Sequence, residues 1–209
     1  MTTQAQARQE AGKSMSQAQV SPRSYPAFLR LQGRSVLVVG AGAVAAQKLQ
    51  GLLAAGARVT VVAPAIDLAF DRPEVERLQR EFTESDLGGR WLVVAAAPPE
   101  VNAAVARAAE ARQVFVNAVD DLAAASVHLG GVVERGGVTF AISTGARAPA
   151  LAGLLREAVE ALLPEEIADW VSLAEELKQR WRAAKAPMHE RRPLLLAALL
   201  ERHSTRSAA

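Results

Sequence analysis

The chain has no cysteine among its 209 residues. A disulfide framework, a thiol nucleophile and a thiolate metal site are therefore excluded. Half of the residues are hydrophobic but only 4% are aromatic, so a core must be built from Ala, Val and Leu. No apolar run approaches the length needed to cross a bilayer. Residues 1–20 are rich in Gln, Ala and Ser and lack an apolar segment. They do not read as a signal peptide, and residues 1–22 are expected to form a disordered tail. The formal net charge is only +2, with no basic block interleaved with aromatics, so neither nucleic acid nor a membrane is an expected partner. The three histidines, His128, His189 and His203, are scattered, and without paired spacing no preformed metal site is expected. A soluble, cytoplasmic protein is the expectation.

The chain is organised around Ser35 to Pro64. Val36 to Val39 form a short β-branched apolar run, the mark of a strand buried on both faces. It runs into Gly40-Ala41-Gly42-Ala43-Val44-Ala45 and then into a helical pattern carrying Leu49, Leu52 and Leu53. Gly56 closes that helix, and Val59 to Val62 supply a second strand. Gly40 permits a tight turn, Gly42 admits a pyrophosphate against the backbone, and Ala45 allows close packing of helix on strand. One part of the dinucleotide pattern is missing. The acid expected at the end of the second strand, to bind the ribose hydroxyls, is replaced by Val62-Ala63-Pro64. NAD and NADP therefore both stay open on the residues alone.

Further along, Tyr25 to Leu29 is expected to pack over a sheet edge, and Arg77 to Phe82 to form a third strand. Ser85 to Leu87 reads as a short helical turn, and Trp91 to Ala96 as a buried strand. Pro98 and Pro99 suit the first turn of a helix with Val101, Val105 and Ala108 on its apolar face. Val114 to Val116 is the next strand. Strands alternating with helices predict an α/β fold with a parallel, Rossmann-type sheet of about five strands.

The pattern changes after Asp121. Val127 to Val133 and Val138 to Ser143 flank Glu134-Arg135-Gly136-Gly137, the turn of an antiparallel hairpin. Pro149 opens a helix with Leu151, Leu154, Leu155, Val159 and Leu162 on one face. Pro164 ends it. A second helix carries Ile167, Trp170, Val171, Ala174, Leu177 and Trp181, and a short one spans Leu194 to Leu200. So much apolar surface outside the main sheet fits either an oligomer interface or an accessory bundle. The expected division is a tail over 1–22, a nucleotide-binding domain over 23–122, a dimerisation region over 123–163 and a small helical domain over 164–209.

Two places can carry chemistry. In open α/β sheets, ligands bind beyond the carboxyl ends of the strands. Asp120 lies just past the fifth strand, where it is either a proton acceptor beside a nicotinamide or a turn residue. The loop Ser143-Thr144-Gly145-Ala146-Arg147-Ala148 offers hydroxyls, backbone N–H groups and a cation to a carboxylate, or merely caps the helix that follows.

Taken together, VLVVGAGAVAAQK, GARVTVVAP, WLVVAAA, VFVNAVDD and FAISTGARAPALAGLLREAVEALLP closely resemble the precorrin-2 dehydrogenase/sirohydrochlorin ferrochelatase family. The same module forms the N-terminal half of siroheme synthases. The resemblance runs from about Tyr25 to Arg192, with MHERR a weaker match. It implies NAD-dependent oxidation of precorrin-2 to sirohydrochlorin, on the route to sirohaem or cobalamin. It also implies a homodimer and, in some members, insertion of Fe²⁺ or Co²⁺ into the product. The family's essential aspartate falls on Asp120. Its cofactor contacts fall on Ala43, Val44, Pro64 and Ala65, beside Gly40 and Gly42, so the missing acid is a family trait. Its active-site hydroxyl falls on Thr144. Asn117, Ser143 and Arg147 are expected as further substrate contacts, the cation of Arg147 because the substrate implied bears many carboxylates. The chain departs from the family at Gly145-Ala146-Arg147-Ala148-Pro149, which loses a hydroxyl and a glycine, and at a shortened Ala97 to Glu100 turn. The methyltransferase domain of the multifunctional members lies outside the resemblance, so a separate protein is expected to supply precorrin-2. The rival from another class is a non-catalytic NAD-sensing module; those usually keep the ribose acid, and that reading leaves VNAVDD and STG unexplained.

Overall fold

A computed structural model of the chain describes residues 24–119, 121–145 and 147–207. The expected tail, Asp120 and Ala146 lie outside them. The first unit begins with β1, Ser35–Val39. Its side chains alternate between two cores, as the two-residue period of a strand requires. Val36 and Val38 pack with Leu49 and Leu52 of helix α1, Ala43–Ala54, and with Phe70. Leu37 and Val39 pack on the opposite face with Val105 and Ala109 of helix α2, Pro99–Glu110. Val36, Leu37 and Val38 are wholly inaccessible to solvent. Each such side chain contributes roughly 1.5–3 kcal/mol of burial free energy, which is why an apolar run without alternation folds here as a central strand.

The remaining strands are β2, Arg58–Ala63; β3, Val75–Gln79; β4, Leu92–Ala95; and β5, Phe115–Ala118. All pair in parallel, in the order β3-β2-β1-β4-β5. The order reverses between β1 and β4, so the crevice where such sheets bind ligands opens at their carboxyl ends. The expected α/β class and five-stranded parallel sheet are both present. Gly56 ends α1 as read: at φ +72° its N–H donates to the Leu53 carbonyl and that of Ala57 to the Leu52 carbonyl, the pattern of a Schellman motif. Pro99 occupies the first turn of α2, where its missing N–H costs no hydrogen bond.

Three expectations are corrected. Residues 24–30 are exposed, Tyr25 at 91% and Phe28 at 70%; helices already cover the sheet, and from this segment only Leu31 enters the core. The third strand lies earlier than Arg77 to Phe82, because Val75 is buried and pairs with Val59, which fixes the register. The first hairpin strand starts at Gly131, not Val127. Ser126 and Val127 instead donate their N–H groups to the Val116 carbonyl and so cover the open edge of β5.

The second unit starts with the hairpin of β6, Gly131–Arg135, and β7, Val138–Ile142. Arg135 faces Val138, and Gly136 and Gly137 turn between them at φ +56° and +82°. Two central residues with positive φ match the twist of a two-residue hairpin, and glycine adopts them without steric cost. Helix α3, Pro149–Leu162, lies against β6, where Gly131 faces the Ala152 carbonyl and Arg156. Helix α4, Ile167–Ala183, meets the hairpin turn through Ala168. Helix α5, Met188–Ser207, is longer than the expected Leu194 to Leu200 and carries Pro193 inside it. Pro193 sits near the start, where the lost hydrogen bond disturbs only the first turns.

Candidate functional site

The glycine turn is shaped by its neighbours. Gly40 has φ +101°, and a Cβ there would lie 2.2 Å from the Ala96 carbonyl oxygen. Only glycine meets both constraints. Its N–H donates to the Val62 carbonyl at 2.9 Å, which ties the turn to the end of β2. Gly42, at the N-cap of α1, is different. Its φ is −83°, and a Cβ there would meet nothing within 4 Å. The space over Gly42 is open, and the first turn of α1 carries no acidic residue. Ala46 makes the first intrahelical bond, to the Gly42 carbonyl, so the earlier N–H groups of the turn are left to the anion that a helix start favours. Ala43 and Val44 are exposed above it, while Ala45 is fully buried against the sheet. Pro64 and Ala65 are exposed just past β2. This open cradle fits a dinucleotide phosphate.

The wall opposite the turn is set by a residue that sequence reasoning does not single out. Asn102, in α2 and 5% exposed, accepts the Ala97 N–H on its Oδ1 at 3.0 Å and so fixes the turn after β4. A buried Asn in the first turns of a helix is a weak signal, read more readily as solvent-facing. Beside it, the Val119 N–H donates to the Ala95 carbonyl at 2.9 Å. The glycine turn, the end of β4 and the beginning of the segment after β5 thus meet at one end of the sheet.

Asp120 itself lies outside the described residues. Its sequence neighbour Asp121 accepts the N–H groups of Ala123 and Ala124 on Oδ1, each at 3.1 Å, the short-range pattern for which Asp is favoured in turns. Asn117, at the end of β5, is 8% exposed and donates its Nδ2 to the Val127 carbonyl at 2.9 Å. Its Oδ1 is buried and has no partner among the described residues.

The Ser143 to Arg147 loop follows β7. Ser143 Oγ accepts the Gly145 N–H at 3.1 Å. Thr144 Oγ1 donates to the Ala148 carbonyl at 3.1 Å and accepts the Ala148 N–H at 3.4 Å. Both hydroxyls therefore close the loop on itself. Neither caps α3, whose N-cap is Ala148 with Pro149 next. Arg147 is exposed. No hydrogen bond among the described residues joins this loop to the sheet end.

A second polar cluster lies at the opposite, amino-terminal end of the strands. Arg90 Nη1 donates to Ser35 Oγ at 2.7 Å and Thr60 Oγ1 at 2.8 Å, and Thr60 donates to Glu76 at 2.7 Å. These groups border a cavity of about 460 Å³ with Arg58 and Glu74. The hydroxyls of this relay are all paired, so it reads as a brace between strands. Nearby, Arg80 forms a bidentate pair with the buried Asp86 at 2.6 and 2.9 Å. That guanidinium holds the Asp86 carboxyl down at about 2; burial opposes the shift, and the Thr83 N–H and hydroxyl add to it. Among the described residues no cluster of His, Asp and Glu could hold a metal ion, and no helix is long and apolar enough to cross a membrane.

Comparison with known proteins agrees with this geometry. A family model described as "Putative NAD(P)-binding" matches residues 27–131, half of the chain. Siroheme synthase 3 of Aeromonas hydrophila is 44% identical over 173 residues, covering 80% of this chain and 37% of that protein. Siroheme synthase 1 of Aeromonas salmonicida is 43% identical over 172 residues, with the same coverage. The chain thus spans well under half the length of the curated relatives it matches. Among solved structures, "SirC, precorrin-2 dehydrogenase" superposes with a TM-score of 0.66 at 25% identity, covering 83% of this chain and 88% of that one. With its glycine turn, its strand order and these matches, the chain belongs to the precorrin-2 dehydrogenase/sirohydrochlorin ferrochelatase family, whose NAD(P)-binding domain it carries.

Proposed function

We propose that the protein oxidises precorrin-2 to sirohydrochlorin with NAD as electron acceptor, in sirohaem or cobalamin biosynthesis in the cytoplasm. One observation carries this reading: the open cradle at Gly42 adjoins the end of β4, to which Val119 ties the start of the segment containing Asp120. Similarity to a precorrin-2 dehydrogenase over 88% of its length supports the same choice. In this reading Gly40, Gly42, Ala43, Val44, Pro64 and Ala65 hold the dinucleotide, mostly by backbone groups and packing. The absence of an acid after β2 is compatible with that mode of binding. The chain divides at about residues 122 and 163 into nucleotide-binding, dimerisation and helical parts.

When bound, the nicotinamide supplies a two-electron acceptor, and the protein supplies orientation and a proton acceptor. Asp120 takes the proton that leaves the macrocycle as hydride equivalents depart. A carboxylate is among the side chains that serve as general bases. Asn117, Ser143, Thr144 and Arg147 are the substrate contacts. The cation of Arg147 suits the many carboxylates of a uroporphyrin-type ligand. The exposed apolar face of α3, with Leu154 at 64% and Leu162 at 80%, supports pairing with a second copy. The protein acts as a homodimer.

The test is direct. Precorrin-2 incubated with NAD⁺ and protein should give the absorbance of sirohydrochlorin, with NADP⁺ as the comparison. Replacing Asp120 with Ala should remove the activity while leaving NAD binding intact; oxidation at the parent rate would refute the assignment. Chelation is the finer proposal, with Fe²⁺ or Co²⁺ as substrate. Sirohydrochlorin mixed with Co²⁺, with and without protein, decides it by the rate of metal insertion.

A further inference from the structure

We infer that Asn102 positions the glycine turn for the dinucleotide, by holding the peptide that joins Ala96 to Ala97. The inference rests on the proposed cradle over Gly42 and adds one positioning residue to it. The crevice of such a sheet opens where the strand order reverses, here between β1 and β4. Its two lips are the glycine turn after β1 and the turn after β4. Below them the ladder is complete: Val36 to Val39 pair with Leu92 to Ala95, and Ala96 donates its N–H to the Val39 carbonyl at 2.8 Å. Above that bond the lips part, since Gly40 donates the other way, to the Val62 carbonyl of β2.

The two lips touch through one peptide group. A Cβ on Gly40 would lie 2.2 Å from the Ala96 oxygen, 2.6 Å from the Ala96 carbonyl carbon and 3.0 Å from the Ala97 nitrogen. The Ala96–Ala97 peptide therefore lies against Gly40. Its N–H is taken by Asn102 Oδ1, from the first turns of α2, at 3.0 Å. A peptide group is planar, so this one hydrogen bond fixes which way the whole group faces, carbonyl included. Without the acceptor the plane is free to turn, and the surface on which Gly40 rests moves with it. The N–H groups that follow Gly40, left to an anion at the start of α1, move in turn.

The sheet itself does not require this bond. Leu92 to Ala95 are buried and paired with β1 without it. The start of α2 is closed by its own backbone, with Val101 and Asn102 both donating their N–H groups to the Pro98 carbonyl at 3.0 Å. Asn102 is 5% exposed on a helix whose other buried residues are Val105, Ala106, Ala108 and Ala109. An amide among valines and alanines carries a desolvation cost that an apolar side chain would not. Its presence is explained by the peptide it holds.

The experiment compares Asn102→Leu, Asn102→Ala and Asn102→Asp with the parent in the full chain. It reads NAD affinity by titration, KM for precorrin-2 at saturating NAD, and the melting temperature. Asn102→Leu keeps the volume and removes the acceptor. It should weaken NAD binding by about tenfold or more, the scale on which small misplacements act, while KM for precorrin-2 stays unchanged. Asn102→Asp keeps an Oδ acceptor near a helix start, where its charge is favoured, and should restore the affinity. Asn102→Ala should follow Asn102→Leu. Parent NAD affinity in Asn102→Leu, no rescue by Asp, or a rise in KM for precorrin-2 equal to the loss of NAD affinity would each overturn the inference. If Asn102→Leu does not fold, Asn102→Ala is read in its place, and loss of fold in both also overturns it. A parent that binds no NAD sinks the cradle itself and is recognised before any variant is measured.

Discussion

Two glycines two residues apart do different work. Gly40 is required by the fold: its φ of +101°, with the Ala96 oxygen 2.2 Å from where a Cβ would lie, leaves no room for a side chain. Gly42 has ordinary φ and open space, so the fold does not need it. Gly42→Ala should therefore cost only about 1 kcal/mol, the scale of an N-cap preference, and yet weaken NAD binding by about tenfold or more, the worth of roughly one good polar contact, read by urea denaturation and by titration. Unchanged NAD affinity would mean the cradle holds no pyrophosphate. Asp86 gives the pH prediction. Its folded value is about 2 against 3.8 for an unperturbed carboxyl, so the ionised form is favoured by folding. That stabilisation, about 2 kcal/mol, is present above about pH 4 and is lost as pH falls from about 4 to 2. Asp86→Asn should cost a similar amount at neutral pH and flatten this acid limb in a stability–pH series.

At the scale of elements, the nucleotide half is legible in the sequence because its signals are local. A β-branched run, a glycine turn and a Schellman glycine each state their own geometry. β3 is harder to place because its residues Val75 to Gln79 lack alternation, and the pairing of Val75 with Val59 decides its position. The hairpin turn is legible for the same local reason as the glycine turn, but its purpose is not. A Cβ on Gly136 would lie 2.4 Å from the Ala168 backbone nitrogen, whereas one on Gly137 would come no nearer than 3.9 Å to Val171. Gly136→Ala should thus separate the turn from α4 and destabilise by about 2 kcal/mol or more, given that a positive φ alone costs about 1–2 kcal/mol. Gly137→Asn should cost much less, since Asn tolerates such φ values. Thermal melts of the two variants check the order; equal losses would show that the α4 contact is not what constrains Gly136.

At the scale of the whole molecule, a single chain leaves the apolar face of α3 uncovered. Leu151, Leu154, Leu155 and Leu162 are 48%, 64%, 42% and 80% exposed, and Val132 on β6 is 49% exposed. Contiguous apolar surface of this kind marks an interface, and an isologous pair of such faces is the commonest closed arrangement. The proposed homodimer makes a measurable prediction. Leu154→Glu should shift the protein from dimer to monomer in light scattering and reduce turnover with it, while the parent glycine-turn affinity for NAD persists. A parent that is monomeric at micromolar concentration would remove the dimer.

The opening absences and the motif Gly40 to Ala45 are enough to fix the class of fold and the proposed place of the nucleotide, because strand runs, turns and caps are set by each residue's own sterics and hydrogen-bonding capacity. What Asn117, Asn102, Ser126 and the loop hydroxyls do is decided only in three dimensions. Asn117 is tied to Val127, ten residues further on, Asn102 faces the backbone of Ala97, and Thr144 closes on Ala148. A polar side chain is silent about its partner until packing has excluded water and left it one group within reach. Val116 likewise shows no need of Ser126 in the sequence, since the open edge of β5 exists only once five strands have assembled.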